Sequence, residues 1–178
     1  MIKLSELKKY DIYNRENIPF LRDHYKKSVF SPCRQYKAQI YFEYDCQNTG
    51  TFIEFTNKKG ELLNRIKFTP SGWSVICKSV GDINWIDDEK IKINNIQVDR
   101  VDKESDCNVK YYWLISINGK VEYSCKDEQN SHSLFELGKR IYEGNLVLEN
   151  KEKGLSLIRQ SANLNYKHAQ NWLKQNLT

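Results

Sequence analysis

The Asn118-Gly119 pair constrains this chain more than any other feature. Before it run Tyr111, Tyr112, Trp113, Leu114, Ile115, Ser116 and Ile117, and after it Lys120, Val121, Glu122, Tyr123, Ser124 and Cys125. Aromatic and β-branched residues favour strands. Asn-Gly accepts φ > 0 at both centres of a type I′ turn, so the expectation is a hairpin with a two-residue loop. Such a loop fixes the register: Ile117 would oppose Lys120, Ser116 would oppose Val121 and Leu114 would oppose Tyr123. Tyr112, Leu114, Ser116, Val121, Tyr123 and Cys125 would then share one face, with Tyr111, Trp113, Ile115 and Ile117 on the other. The first strand is apolar on both faces, which points to a central strand covered on both sides.

The same period of two runs from about residue 36 to residue 126. Tyr36, Ala38, Ile40, Phe42 and Tyr44 alternate with Lys37, Gln39, Tyr41, Glu43 and Asp45, the pattern of a half-buried strand. Residues 51–56 and 62–69 flank Asn57-Lys58-Lys59-Gly60 as a second hairpin. Trp73, Val75 and Cys77 mark another strand, and residues 91–101 alternate with a break at Asn94-Asn95. The two ends read differently. Leu21, Tyr25 and Val29 recur every four residues with Phe20 and His24 beside them, which predicts a helix capped by Asn17, admitting Pro19 in its first turn and stopped by Pro32. Beyond the polar connector 127–133 the period returns to 3.6. The expected fold is α+β: an N-terminal helical segment, an antiparallel β-sheet or sandwich, and a C-terminal helical hairpin. Residues 1–130 would form one domain and 131–178 a helical unit packed on it.

Within that unit, Leu137-Gly138, Tyr142, Gly144, Val147, Lys153, Ile158, Ala162, Ala169-Gln170 and Leu173 stand in the order of a known pattern. Residues 134–173 resemble a Sel1-like repeat, the tetratricopeptide-related helical hairpin, with Gly154, Ser161 and Asn165 replacing its usual Ala, Ala and Gly. The resemblance implies a non-catalytic surface for protein contact. The physics runs parallel to it. Leu134, Leu137 and Ile141 form one stripe, and Leu155, Ile158 and Ala162 form the other. Gly138, Gly154 and Ala162 let two helices approach closely, and Gly144 and Asn165 suit left-handed turns.

Chemistry-bearing motifs are sparse. Cys33, Cys46, Cys77, Cys107 and Cys125 form no CxxC and no set with His at metal-ligand spacing, so reduced thiols and no metal or cofactor are expected. The charged start, Met1 to Leu7, lacks a secretory apolar stretch, and no run is long enough to cross a membrane. Both point to the cytoplasm. His24, His132 and His168 have no nucleophile context, and no Gly-rich loop precedes a helix.

The net charge of +5, with 11 Tyr and 4 Trp, raises the question of nucleic acid. Residues 1–30 hold seven basic and four acidic groups, residues 31–130 fourteen and fifteen, and residues 131–178 seven and four. The aromatic β-region is therefore near neutral, which disfavours a base-stacking surface. The sharper partner-binding candidates are the acidic run Asp87, Asp88 and Glu89 with Trp85 as anchor, together with Tyr111 and Trp113 on the apolar strand. The expected function is protein binding without catalysis. Its specific form, by analogy with small motif-free bacterial proteins, is an immunity protein of contact-dependent inhibition that neutralises a cognate toxin domain. The rivals are a nucleic-acid-binding protein and a hydrolase with a dispersed site.

Overall fold

The computed structural model describes residues 21–44, 50–70, 80–95 and 109–177, and eight strands and three helices follow one another within them. Strands β1 (Leu21–Phe30), β2 (Tyr36–Tyr44), β3 (Gly50–Asn57) and β4 (Leu62–Thr69) form one antiparallel sheet in that order. Strands β5 (Val80–Trp85), β6 (Lys90–Asn95), β7 (Tyr111–Ser116) and β8 (Val121–Cys125) form a second in the same manner. Helices α1 (Ser131–Glu143), α2 (Lys151–Asn163) and α3 (Lys167–Asn176) close the chain's described part. The class is α+β. The strand expected around Trp73, Val75 and Cys77 lies outside the described residues, as do Asn17, Pro19 and Phe20.

The expected N-terminal helix is corrected where it can be seen. Residues 21–30 form β1, paired with β2 from Leu21 opposite Tyr44 to Phe30 opposite Lys37. A spacing of four is common to both periods, since two steps of a strand and roughly one turn of a helix each return a residue to its face. The register slips between Tyr25 and Val29, and that irregularity spoils the alternation that would have marked a strand. Pairing along β2 decides the matter, so Leu21, Tyr25 and Val29 are strand residues.

Alternation places the core. Ala38, Ile40, Ile53, Phe55, Ile66 and Phe68 of the first sheet form one buried cluster with Ile91, Ile93, Tyr111, Trp113, Ile115, Tyr123 and Cys125 of the second. Phe68 meets Trp113 edge-on at 5.5 Å between ring centroids, and Phe55 meets Trp85 at 5.8 Å. The two sheets are thus layers of a sandwich. Each fully buried large side chain contributes on the order of 1.5–3 kcal/mol. Cys125 is part of this core.

The β7–β8 hairpin exists, but its loop and register differ from expectation. Gly119 N–H donates to Ser116 O and Ser116 N–H to Lys120 O, leaving Ile117, Asn118 and Gly119 as a three-residue loop. Gly119 alone of the three has positive φ, +99°, where a side chain would be strained. This is the type I turn with a glycine bulge rather than type I′. Ile115 therefore opposes Val121, and Trp113 opposes Tyr123. One residue of slip exchanges faces: Tyr111, Trp113 and Ile115 share the core side with Tyr123 and Cys125. The cause lies in a third strand, because Ile117 N–H donates to Glu89 O beside β6 and holds Ile117 out of the β8 ladder. The β3–β4 turn uses the same design, with Gly60 N–H on Asn57 O and φ of +83° at Gly60.

The helices follow from caps and small residues. Asn130 accepts from the backbone of His132 and Ser133 to start α1, Gly144 ends it in the left-handed region, and Asn150 accepts from Lys153 to start α2. Leu137, Ile141 and Val147 belong to the sandwich core, while Phe135, Ile158 and Ala169 form a smaller cluster with Tyr166 and Trp172. The assignment of residues 134–173 to a Sel1-like repeat does not stand. The three helices hold no repeated unit among the described residues. The stripe that a repeat would turn towards its neighbouring repeat, Leu137 and Ile141, is spent on the sheets.

Candidate protein-binding surface

Two turns from different sheets meet at one end of the sandwich. Between β1 and β2, Ser31 N–H donates to Tyr36 O, Arg34 N–H donates to Ser31 O, and Tyr36 N–H donates to the buried Ser31 hydroxyl at 3.2 Å. Between β5 and β6, Ile86 N–H donates to Lys90 O, and Glu89 N–H donates to Asp87 Oδ1 at 2.8 Å. Asp87 therefore builds its own turn.

Asp88 joins the two. Its carboxylate accepts the Cys33 backbone N–H at 2.8 Å. The Cys33 thiol and that N–H hold the carboxyl below its ordinary range, because both favour its charged form. Three residues earlier, at the end of β5, Trp85 Nε1–H donates to Val29 O at 3.3 Å while its ring packs on Phe55. The acidic turn is thus bound to the other sheet at two points. Beside these points, Phe30 is 59% exposed and Ile86 is 54% exposed. The end surface combines two apolar side chains with the exposed acids Asp87, Asp88 and Glu89.

Of the six residues singled out in the sequence, Trp85, Asp87, Asp88 and Glu89 gather here. Trp85 is half-buried and serves as a clasp between sheets, with its edge engaged. Tyr111 and Trp113 lie elsewhere: on the inner face of β7 they are 3% and 0% exposed, stacked or tilted against Tyr123. Their rings are consumed by core packing. Phe30, Ile86 and Cys33 were not foreseen. Phe30 would have been found by reading residues 21–30 as a strand that runs into the Ser31-Pro32 turn.

No other chemistry gathers among the described residues. No group of three or more His, Cys, Asp or Glu stands close enough to hold a metal ion, and no helix is long and apolar enough to cross a membrane. His132 Nδ1 lies 2.8 Å from the Tyr166 hydroxyl and ties α1 to the start of α3, while His168 is exposed and packs its ring on Tyr166. Compared with known proteins, the chain matches no family model, no curated protein and no solved structure.

Proposed function

We propose that this chain is a non-catalytic protein-binding protein whose partner docks on the sandwich end formed by Phe30, Ile86, Asp87 and Glu89. The observation that carries the reading is the exposure of Phe30 and Ile86 beside a turn already anchored by Asp88 and Trp85. Exposed apolar side chains supply anchors, and the carboxylates select a basic counterpart. A turn fixed before binding loses little freedom on docking, so less of the contact energy is spent on ordering it. The particular role we propose is neutralisation of a cognate toxin domain by covering its working surface, across an interface on the order of 1,600 Å² in total. An enzyme that handles nucleic acid presents a basic surface, and a partner of that kind fits the acidic rim.

The test begins with whether a neighbouring gene encodes a domain toxic to cells, and then measures its binding to the purified chain by calorimetry and the survival of cells that express it. Phe30→Asp, Ile86→Asp and Glu89→Lys should each weaken binding by at least tenfold and reduce protection. Wild-type chain that neither binds nor protects would remove the toxin reading. Binding unaffected by all three substitutions would move the interface away from this end.

A further inference from the structure

The tight turns of both sheets stand at one end of the sandwich, and hydrogen bonds lace them together. Asp88 of the β5–β6 turn accepts from Cys33 of the β1–β2 turn. Glu89 O accepts the N–H of Ile117 in the β7–β8 loop, and Ile117 O accepts Asn64 Nδ2–H from the start of β4. The β1–β2 turn therefore lies against the β5–β6 turn, and the β3–β4 turn lies near the β7–β8 loop. Strand order separates these two pairs. The β3–β4 and β5–β6 turns thus occupy diagonally opposite corners of the end.

Those two corners carry opposite charge. Lys58 and Lys59 are exposed on one, where Glu61 is held by Asn57 Nδ2–H at 2.6 Å. Asp87, Asp88 and Glu89 are exposed on the other. Lys58, Lys59, Asp87 and Glu89 make no ion pair among the described residues. The lysines that flank the acidic turn are partly committed elsewhere: Lys120 lies 2.6 Å from Glu122, and the half-buried Lys90 also acts on that carboxylate. Apolar side chains stand beside each charge, with Leu62 56% exposed next to the basic turn and Ile86 54% exposed next to the acidic one. Phe30, 59% exposed, marks a third corner at the β1–β2 turn.

We infer that this end pairs with the same end of a second copy of the chain, about a two-fold axis running from the β1–β2 turn to the β7–β8 loop. Such an axis exchanges the other two corners. It lays each basic turn on the acidic turn of the other copy, Leu62 beside Ile86, and Phe30 beside its own counterpart. A two-fold interface has to be complementary to itself, and opposite charges at diagonal corners meet that condition. A partner of one charge sign covers only half of this end. Four strands about 4.8 Å apart and sheets about 10 Å apart give an end roughly 20 Å across once side chains are included. Two copies would bury on the order of 1,000 Å² in total, enough for a reversible dimer and too little for a permanent one. The inference does not depend on the toxin reading, but the second copy and a toxin domain would claim the same Phe30 and Ile86. Dimer and complex therefore exclude each other.

The test is sedimentation velocity of the full chain, which should show a monomer–dimer equilibrium with a Kd on the order of 10 μM. Lys58→Glu/Lys59→Glu and Asp87→Lys/Glu89→Lys, each checked for folding by circular dichroism, should each raise that Kd by roughly tenfold or more. An equimolar mixture of the two variants should recover the dimer, because both pairs of facing turns are again opposite in sign. Leu164→Asp, at an exposed residue of the helical region, should leave the Kd unchanged. If the acidic-turn variant does not fold, Leu62→Asp decides instead, with an expected rise of roughly tenfold. A wild-type chain still monomeric at about 300 μM would overturn the inference. So would charge reversals without effect, or a mixture no tighter than its components. A monomeric chain that protects cells would remove the dimer and leave the toxin reading standing, and a dimer that neither binds nor protects would do the reverse.

Discussion

The guanidinium carbon of Arg140 lies 4.4 Å from the ring centroid of Tyr111, and both residues are buried. This stack joins the last turn of α1 to the inner face of β7, and Tyr111 passes the contact on by stacking against Tyr123. A desolvated cation over an aromatic face is worth about 2 kcal/mol, and the arginine stem adds packing. Arg140→Ala should therefore lower the unfolding free energy by about 2–4 kcal/mol, read from urea denaturation. Arg140→Lys should recover less than half of that loss, because an ammonium cannot lie flat on the ring.

Gly154 faces the backbone of α1 so closely that an added Cβ would lie 2.6 Å from Tyr142 N and 2.7 Å from Gly138 O. Replacing a helical glycine with alanine ordinarily gains about 1 kcal/mol. Here the methyl group would force two backbones apart, at a cost of about 1–3 kcal/mol. The sign of the change is the test. Gly154→Ala should lower the thermal midpoint, and a raised midpoint would mean that α1 and α2 do not cross this closely.

The Asp88 bond to Cys33 should respond to acid. The folded carboxyl titrates below its ordinary value of 3.8. Its contribution is therefore complete above that value and is lost as pH falls through the lower folded value. Hydrogen exchange at the Cys33 amide should be protected at pH 6 beyond the intrinsic rate. That protection should decline below pH 3.8 and be reduced at every pH in Asp88→Ala. Protection independent of both pH and Asp88 would show that the two turns are held by other contacts.

The two described cysteines should react very differently. Burial, with the charges of Glu128 and Asp127 nearby, pushes the Cys125 thiol up to about 11, whereas Cys33 is exposed. At pH 8 only about one Cys125 in a thousand is thiolate, before access is considered. Iodoacetamide labelling mapped by peptide mass spectrometry should modify Cys33 at least a hundredfold faster than Cys125. Comparable rates would place Cys125 outside the core.

Where the sequence was legible, a local residue enforced the answer. Gly60 and Gly119 mark turns that need positive φ, and both hairpins stand where their glycines are. The β7–β8 register was not legible, because Asn-Gly serves both two-residue and three-residue loops. The choice came from Ile117 bonding to Glu89, some thirty residues away. Leu21, Tyr25 and Val29 failed for a related reason: their spacing fits a helix and a strand alike, and only the pairing with β2 separates the two. The small residues at 138 and 154 did report a close helix crossing, but not what lies on its other side. Four of the six candidate site residues were adjacent in the chain and could be grouped by eye. The bond from Trp85 to Val29 O, which places Phe30 and Ile86 at the same end, and Lys92 over Tyr112 emerge only once strand order is known.

The strand order has one consequence of its own. Each described hydrogen-bonded strand pair joins consecutive strands. No described pairing must wait for a distant segment, so the loop-closure entropy of each step is small and the contact order within each sheet is low. Each meander can zip from its own turns, Asn57 to Gly60 in the first and Ile117 to Gly119 in the second. What remains is one late collision, in which Phe68 finds Trp113 and Trp85 finds Val29. The order of events that this topology predicts is local zipping within each sheet first and the joining of the two sheets through these side chains last.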